Sequence, residues 1–322
     1  MSLKNKPTFK SGKIKVGISI GDPSGCGPIV TLKAITRLKG IADFVVIGDA
    51  YLLKGLPRDS RLINLNNIER KGFEKGKIKA KYGRASIEYL DKAQELLINK
   101  EIDCLVTAPI SKEAINKAGF SYSGHTEYFL KKSGVKEVAM LLLNKFLKFS
   151  LVTRHLALKD VPRALTRERL YNNILTTYKS LNSVFAIKNP RLVVCGLNPH
   201  ASDNGLIGNE EQEVIKPVLQ KIRNKFRITI DGPLSVDVAI YQALMKKHDC
   251  VIAIYHDQAL ISLKLTDFGS GVNMTLGLPF IRTSPLHGTA FDIVKNPRLV
   301  NPDSMIAAIK LAIKCALNQR KA

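Results

Sequence analysis

The chain has 322 residues, of which 45% are hydrophobic and 24% charged, and its 50 Lys+Arg against 27 Asp+Glu give a formal net charge of +23. That length and apolar content exclude disorder as the dominant state and make two lobes the default. The charge raises a nucleic-acid partner, but 35 of the 50 cations are lysine and only 15 arginine, and lysine is the poorer residue for bidentate phosphate or base readout. The densest cluster, Lys71 to Arg84, carries no regularly interleaved aromatic residues of the kind a single-strand stacking platform needs, so it reads as solvated surface.

In chain order, short apolar, β-branched runs predict strands at Lys15–Ile20, Phe44–Ile47, Cys104–Thr107, Val138–Leu143, Phe149–Thr153, Leu192–Leu197, Arg227–Ile230 and Cys250–Tyr255. They are apolar throughout rather than alternating, as strands covered on both faces are. Helical patterns lie between them. One begins near Pro28, and one follows the turn Gly124–Glu127. The clearest runs from Arg167 to Phe185, with Leu170, Ile174, Tyr178 and Leu181 on one stripe. A C-terminal helix follows Asn301 as N-cap and Pro302 at the first helical position. The alternation predicts an α/β architecture with a largely parallel sheet, in which ligands bind beyond the carboxyl ends of the strands.

Five cysteines (26, 104, 195, 250 and 315) stand far apart without a CxxC pair, as buried thiols of a reducing compartment do. The basic N-terminal stretch is followed by only a short apolar run, too little for a signal-peptide core, and no run approaches the length of a membrane span. A cytoplasmic protein with no membrane partner is the expectation.

The segments after the strands are GDPSGCGP (21–28), TAPISK (107–112), TRH (153–155), LNPH (197–200) and YHDQ (255–258). His155, His200 and His256 each follow a strand pattern closely, and the fold class alone sets such positions along one sheet edge. Three imidazoles suit Zn, Co, Mn, Fe or Ni and leave positions open for water or substrate; hydrogen-bonded loop histidines are the other reading. Asp257 and Asp203 are candidates to hold the rings, or ordinary turn residues. The glycines at 21, 25 and 27 fit neither GxGxxG nor a P-loop, leaving a tight turn that feeds a helix. Between Ala259 and Ser284 an apolar stretch contains Lys264, Asn273 and Arg282; a cation buried there needs a partner, and a substrate phosphate or carboxylate would be one. His125 stands at a helix start.

Taken in order, GDPSGCGP, VTAPISK, GHTE, NPH with its Glu-rich sequel, DGPLSVD, YHDQ, FGSGVNMTLGLPFIRTS and HGTAFD resemble the PdxA family of vitamin B6 (pyridoxine) biosynthesis, the 4-hydroxythreonine-4-phosphate dehydrogenases. The resemblance implies an isocitrate/isopropylmalate-dehydrogenase-like fold, two α/β lobes around a central cleft, with lobe 1 formed by 1–127 plus 293–322 and lobe 2 by 128–292. It implies a homodimer with the active site at the subunit interface and a divalent cation (Zn, Mg, Co or Mn) on His155, His200 and His256. Substrate contacts would come from His125, Thr126, Lys264, Asn273 and Arg282. NAD, with NADP as the other candidate, would be held without a Rossmann turn by His287, Gly288 and Asp292. The implied reaction is NAD-dependent oxidative decarboxylation of 4-phosphooxy-L-threonine, with His125 orienting the substrate and Lys264 or Asp237 moving the proton. A 4-phospho-threonate or -erythronate dehydrogenase is the alternative within the family. The chain departs from the family's usual residues at Ile29, Arg154, Ser202, Asp203, Ala259 and Leu286.

Overall fold

A computed structural model describes residues 12–122 and 124–321, so most of the basic N-terminal stretch lies outside the described residues. The elements in chain order are β1 (Lys15–Ser19), α1 (Gly27–Arg37), β2 (Asp43–Gly48), β3 (Arg61–Asn64), α2 (Ala80–Ile98), β4 (Cys104–Thr107), α3 (Lys112–Lys117) and α4 (His125–Ser133). Next come β5 (Ala139–Leu143), β6 (Lys148–Leu151), α5 (Val161–Ala164), α6 (Arg167–Ser183), β7 (Leu192–Cys195), α7 (Lys216–Lys225), β8 (Ile230–Leu234) and α8 (Val236–Leu244). The chain closes with β9 (Cys250–Ala253), α9 (His256–Thr266), β10 (Val272–Leu276), β11 (Ile281–Pro285) and α10 (Asp303–Lys321). The fold is mixed α/β, and it forms two compact units, one reaching Gly134 and resuming at Leu278–Lys321, the other Val135–Gly277.

In the first unit the strands are ordered β3-β2-β1-β4-β11, all parallel. Nearly every residue of β1, β2, β4 and β11 is buried, which requires cover on both faces; α10 packs on β11 and β4, and α2 on β1 and β2. Helix α2 also lies against α3 at Gly83, where a Cβ would stand 2.0 Å from the Ala114 carbonyl oxygen. The predicted cap of α10 is present: Asn301 Oδ1 accepts from the Asp303 N–H at 2.8 Å.

In the second unit the order is β10-β5-β6-β9-β7-β8. Strand β5 is antiparallel to both β10 and β6, whereas β6, β9, β7 and β8 run parallel. The expected largely parallel sheet is therefore mixed here, because only Asn144–Leu147 join β5 to β6, and so short a link can only reverse the chain. Asn144 Oδ1 accepts from the Phe146 and Leu147 amides at 2.8 and 2.9 Å, closing that turn. Helix α6 buries Leu170, Ile174 and Leu181, each contributing about 1.5–3 kcal/mol of apolar burial.

Three strands, β3, β10 and β11, do not read as strands from the sequence. Strands β10 and β11 interleave Asn273, Thr275, Arg282 and Thr283 with apolar residues, which hides a buried strand from a purely apolar criterion. Strand β8 begins where a strand was expected to end, and it contains Gly232-Pro233, residues that ordinarily demote a strand. The compact units also divide the chain differently from the expected lobes. Residues 128–134 and 278–292 belong with the first unit, since Arg282 of β11 pairs with Leu105 of β4, and Tyr128 donates to Asp91 Oδ1 at 2.8 Å.

Candidate active site

Arg282 is the second residue of β11 and is 1% exposed. A guanidinium inside a sheet must donate, and its Nε and Nη2 both do so to Thr107 Oγ1, at 3.1 and 2.6 Å. Thr107 ends β4, so the pairing of β4 with β11 brings donor and acceptor together. Burial pushes the Arg282 pKa down to about 9, with Glu127 of α4 acting in the opposite sense. The Phe129 ring lies 6.0 Å from its guanidinium carbon.

His125 opens α4 directly after Gly124, whose φ of 153° is open to glycine and strained for other residues. Burial, reinforced by the charge of Arg282, holds its imidazole well below the usual histidine range, so the ring is neutral at pH 7. Its Nε2 is buried without a hydrogen-bond partner among the described residues. Thr126, 4% exposed, follows in the first turn, where backbone N–H groups lack intrahelical acceptors. A buried cation, a neutral imidazole and the positive end of a helix together make an anion seat.

The glycine-rich turn after β1 forms a second constellation in the same unit. Gly21 adopts φ 69°, and a Cβ there would stand 2.2 Å from the Pro109 carbonyl oxygen. Asp22 is fully buried and accepts from the Ser24 N–H and Oγ–H, both at 2.9 Å; burial lifts its pKa to about 6. The Cys26 N–H donates to Thr289 O at 2.8 Å and its Sγ to Gly288 O at 3.5 Å, so the turn backs the 287–292 loop. His287 Nδ1 lies 3.9 Å from the same sulfur. Burial raises the Cys26 thiol to about 12, which makes it a packing group rather than a nucleophile. Gly288 and Asp292 are exposed. A Cβ on Gly288 would meet nothing within 4 Å, and the Asp292 carboxylate accepts no hydrogen bond among the described residues, so both are open to a ribose hydroxyl.

In the second unit β6, β9 and β7 are parallel neighbours, and the segments that leave them carry His155, His256 and His200. The rings of His155 and His256 lie 5.6 Å apart, centre to centre. Asp257 Oδ1 is 2.6 Å from His256 Nδ1, a contact that occupies Nδ1 and leaves Nε2 as the nitrogen for a metal. His200 stands in a run of five non-glycine residues, His200–Asn204, all with φ between 43° and 72°. Left-handed backbone costs L-residues about 1–2 kcal/mol each, so the surrounding structure must impose it. Asp203 belongs to this run and is exposed; it makes no contact with a histidine ring among the described residues. Among the described residues no three His, Cys, Asp or Glu side chains come together as a metal-holding group; His155 and His256 are adjacent without a third.

Lys264 lies on α9 with its ammonium 4.1 Å from the Phe268 ring centre. Asn273 is half-buried on β10, opposite Leu142. Asp237 is exposed in the first turn of α8. Among the departures, Arg154 Nη2 donates to Val138 O at 2.8 Å, Ser202 Oγ accepts from the Gly205 N–H at 3.2 Å, and the Leu286 N–H donates to Ser304 Oγ at 2.9 Å. Each serves local structure.

Four supporting residues escape a motif-by-motif reading. Thr107 and Asp22 are described above. Glu211 is fully buried; its Oε1 accepts from the Leu197 and Asn198 amides at 2.7 and 2.8 Å, and its Oε2 from Asn198 Nδ2 at 2.9 Å. It thereby shapes the chain that leads into His200. Gln258 accepts from the Ile254 N–H at 2.7 Å and donates to Gly196 O at 2.9 Å, tying the ends of β9 and β7 together. The acidic stretch after NPH was the available signal for Glu211, but nothing in the sequence separates its role from those of Glu210 and Glu213.

Residues 33–312 match the sequence model of the family described as "Pyridoxal phosphate biosynthetic protein PdxA". The chain is 41% identical over 318 residues to the 4-hydroxythreonine-4-phosphate dehydrogenase of Sulfurihydrogenibium sp. (strain YO3AOP1), covering 93% of this chain and 98% of that protein. Identity to the protein of the same name from Geobacter metallireducens (strain ATCC 53774 / DSM 7210 / GS-15) is 37% over 328 residues, 94% of this chain and 96% of that one. Among solved structures, a 4-hydroxythreonine-4-phosphate dehydrogenase from Klebsiella pneumoniae superposes with a TM-score of 0.87 at 32% identity, covering 96% of this chain and 99% of that one.

Proposed function

Because this chain belongs to the PdxA family of pyridoxal phosphate biosynthetic proteins, we propose that it catalyses the NAD-dependent oxidative decarboxylation of 4-phosphooxy-L-threonine to 3-amino-2-oxopropyl phosphate and CO2, in the cytoplasm. The observation that carries this reading is the anion seat of the first unit: buried Arg282 beside neutral His125 at the start of α4. A phosphate ester is the substrate group that such a seat fits.

In the proposed mechanism Arg282 neutralises the phosphate. Its two donors to Thr107 hold the guanidinium plane, so little conformational freedom is lost on binding. His125, being neutral, offers Nε2 as donor or acceptor without adding charge, and Thr126 contributes the first turn of α4. Lys264 and Asn273 complete the set of substrate contacts.

His155 and His256, already neighbours with Asp257 orienting the second ring, fit a divalent cation. His200 would complete the three-imidazole set at a site shared between two copies of the chain. The exposed Asp292 carboxylate and open Gly288 fit the ribose of a dinucleotide. When bound, the nicotinamide supplies a hydride acceptor and the cation a Lewis acid for the oxidised hydroxyl and for the electron density released with CO2. Two protons have to be moved by the protein: one leaves the hydroxyl as hydride leaves its carbon, and one returns to carbon after CO2 departs. Lys264 and Asp237 are the two candidates for that role.

A homodimer is supported by apolar side chains left in solvent. Val238 and Tyr241 of α8 and Met245 at its C-terminal cap are exposed, and Ile261 and Leu265 of α9 are 59% and 82% exposed. No helix among the described residues is long and apolar enough to cross a membrane. The discriminating experiment is side-by-side turnover with NAD of 4-phosphooxy-L-threonine and of 4-phospho-threonate or -erythronate. One NADH and one CO2 per amino substrate, with that substrate preferred, is expected. A preference of tenfold or more for the hydroxy acid would replace this reading with the alternative, and turnover of neither would end both.

A further inference from the structure

The second unit holds a cavity of about 460 Å³ between the first turns of α6 and α7, within the range of small-ligand sites. None of its lining residues belongs to the substrate, metal or dinucleotide sets proposed above. Its floor is apolar: Val218 is buried, and Pro217 and Tyr171 are half-buried. Around that floor stand charges of both signs that the chain leaves unpaired. Arg167 Nε donates to Glu213 O at 2.8 Å, which anchors the guanidinium, while its terminal nitrogens find no acceptor among the described residues. The Lys221 ammonium rests 4.9 Å from the Tyr171 ring centre and meets no carboxylate among the described residues. Glu168 pairs with no cation among them either; its neighbours three and four places along α6 are Tyr171 and Asn172. On other helices of the chain the corresponding places are matched, as Glu113 is by Lys117 and Lys92 by Glu95.

A simple anion in this cavity would be repelled by Glu168, and a simple cation by Arg167 and Lys221. A molecule that carries both signs satisfies all three, and the apolar floor selects one that also carries an apolar group. Asn172 adds a neutral acceptor. Its Nδ2 donates to Glu137 Oε1 at 3.0 Å, and its Oδ1, which accepts nothing among the described residues, is left for an ammonium hydrogen. We propose that the cavity binds a free α-amino acid with an apolar side chain. Its carboxylate lies on Arg167 and Lys221, its ammonium between Glu168 and the Asn172 oxygen, and its side chain against Tyr171, Pro217 and Val218. Holding Arg167 through Nε and Lys221 over a ring lowers the conformational freedom that these two long side chains lose when the ligand arrives.

The test is calorimetric titration of the full chain with L-phenylalanine and L-leucine. At least one is expected to bind, and for L-phenylalanine the analogues 3-phenylpropionate, without the ammonium, and 2-phenylethylamine, without the carboxylate, should bind at least about tenfold more weakly. The double variant Arg167→Ala/Lys221→Ala should weaken the amino acid by a similar factor, and a charge-matched control, Lys179→Ala/Lys188→Ala, should leave it unchanged. Glu168→Gln keeps the shape of the cavity and should weaken the amino acid while binding 3-phenylpropionate no more weakly than the wild type does; it decides the matter should the double variant fail to fold by circular dichroism. The proposal is overturned if neither amino acid binds, if Glu168→Gln and the double variant bind like the wild type, or if Lys264→Ala abolishes binding that the double variant retains, which would seat the amino acid among the proposed substrate contacts. Because the cavity shares no residue with those contacts, failure here leaves the dehydrogenase reading standing.

Discussion

Replacing Asp22 by asparagine removes a buried charge while keeping an oxygen that can accept from Ser24 N–H and Oγ–H, the two bonds that shape the turn. Burial raises this carboxyl from 3.8 to about 6, a difference that corresponds to about 3 kcal/mol at ~1.4 kcal/mol per tenfold change in equilibrium. Below pH 3.8 the carboxyl is protonated in both the folded and the unfolded chain. Between 3.8 and about 6 the unfolded chain releases a proton that the folded chain keeps, so stability falls as pH rises, with a limiting slope of about 1.4 kcal/mol per pH unit. Above that window both states are ionised and the loss is complete. The stability of Asp22→Asn relative to wild type should therefore improve by about 2.4 kcal/mol between pH 4 and pH 8, the remainder of the ~3 kcal/mol having been lost below pH 4. Terms independent of pH, such as new amide donors placed where Oδ2 has no partner, cancel in that difference. Urea unfolding of both proteins followed by circular dichroism across this range measures it directly. A difference that stays constant within about 0.5 kcal/mol would refute the argument that burial dominates at this carboxyl.

Other outcomes follow from the same geometry. His200→Ala should lose bound divalent metal and activity with an unchanged circular dichroism spectrum; normal metal content by elemental analysis together with normal turnover would remove His200 from the site. Thr107→Val takes away the acceptor of two Arg282 donors and should cost about 1–3 kcal/mol in urea unfolding, whereas Thr107→Ser should cost little. Glu211→Ala leaves the Leu197 and Asn198 amides without their acceptor and should destabilise by about 2–4 kcal/mol, with Glu211→Gln losing less. Metal affinity, measured by titration, should fall in the same order if Glu211 supports the segment bearing His200.

The sheet of the first unit illustrates what can be read from the chain directly. Strands β1, β2 and β4 are runs so uniformly apolar that only a doubly covered strand satisfies them, and they are found where expected. The helix over Arg167–Ser183 and the Asn301 cap are equally legible, because the signals are local: a periodic stripe, a side chain reaching two residues along. Strands β10 and β11 were not, because their polar residues have partners elsewhere in the chain. Arg282 is tolerable in a strand interior only because Thr107, 175 residues away, presents an oxygen to it.

The candidate site divides along the same line. Residue types and their order determined the strand-end histidines, the helix start at His125, the embedded cation Arg282 and membership of a family. Tertiary structure decided what those residues are chemically. It set the His155 and His256 rings 5.6 Å apart with no third metal-holding side chain among the described residues, neutralised His125 by burial next to Arg282, and made Cys26 a packing group. It also gathered Arg167, Glu168 and Lys221 around an apolar floor. The net charge of +23 is a property of composition, but where cations stand unpaired around a hollow depends on which distant segments pack together. Spacing along a chain specifies neighbours within a helix turn or a strand, whereas ionisation, pairing and exposure depend on the dielectric and partners that only the packed chain supplies.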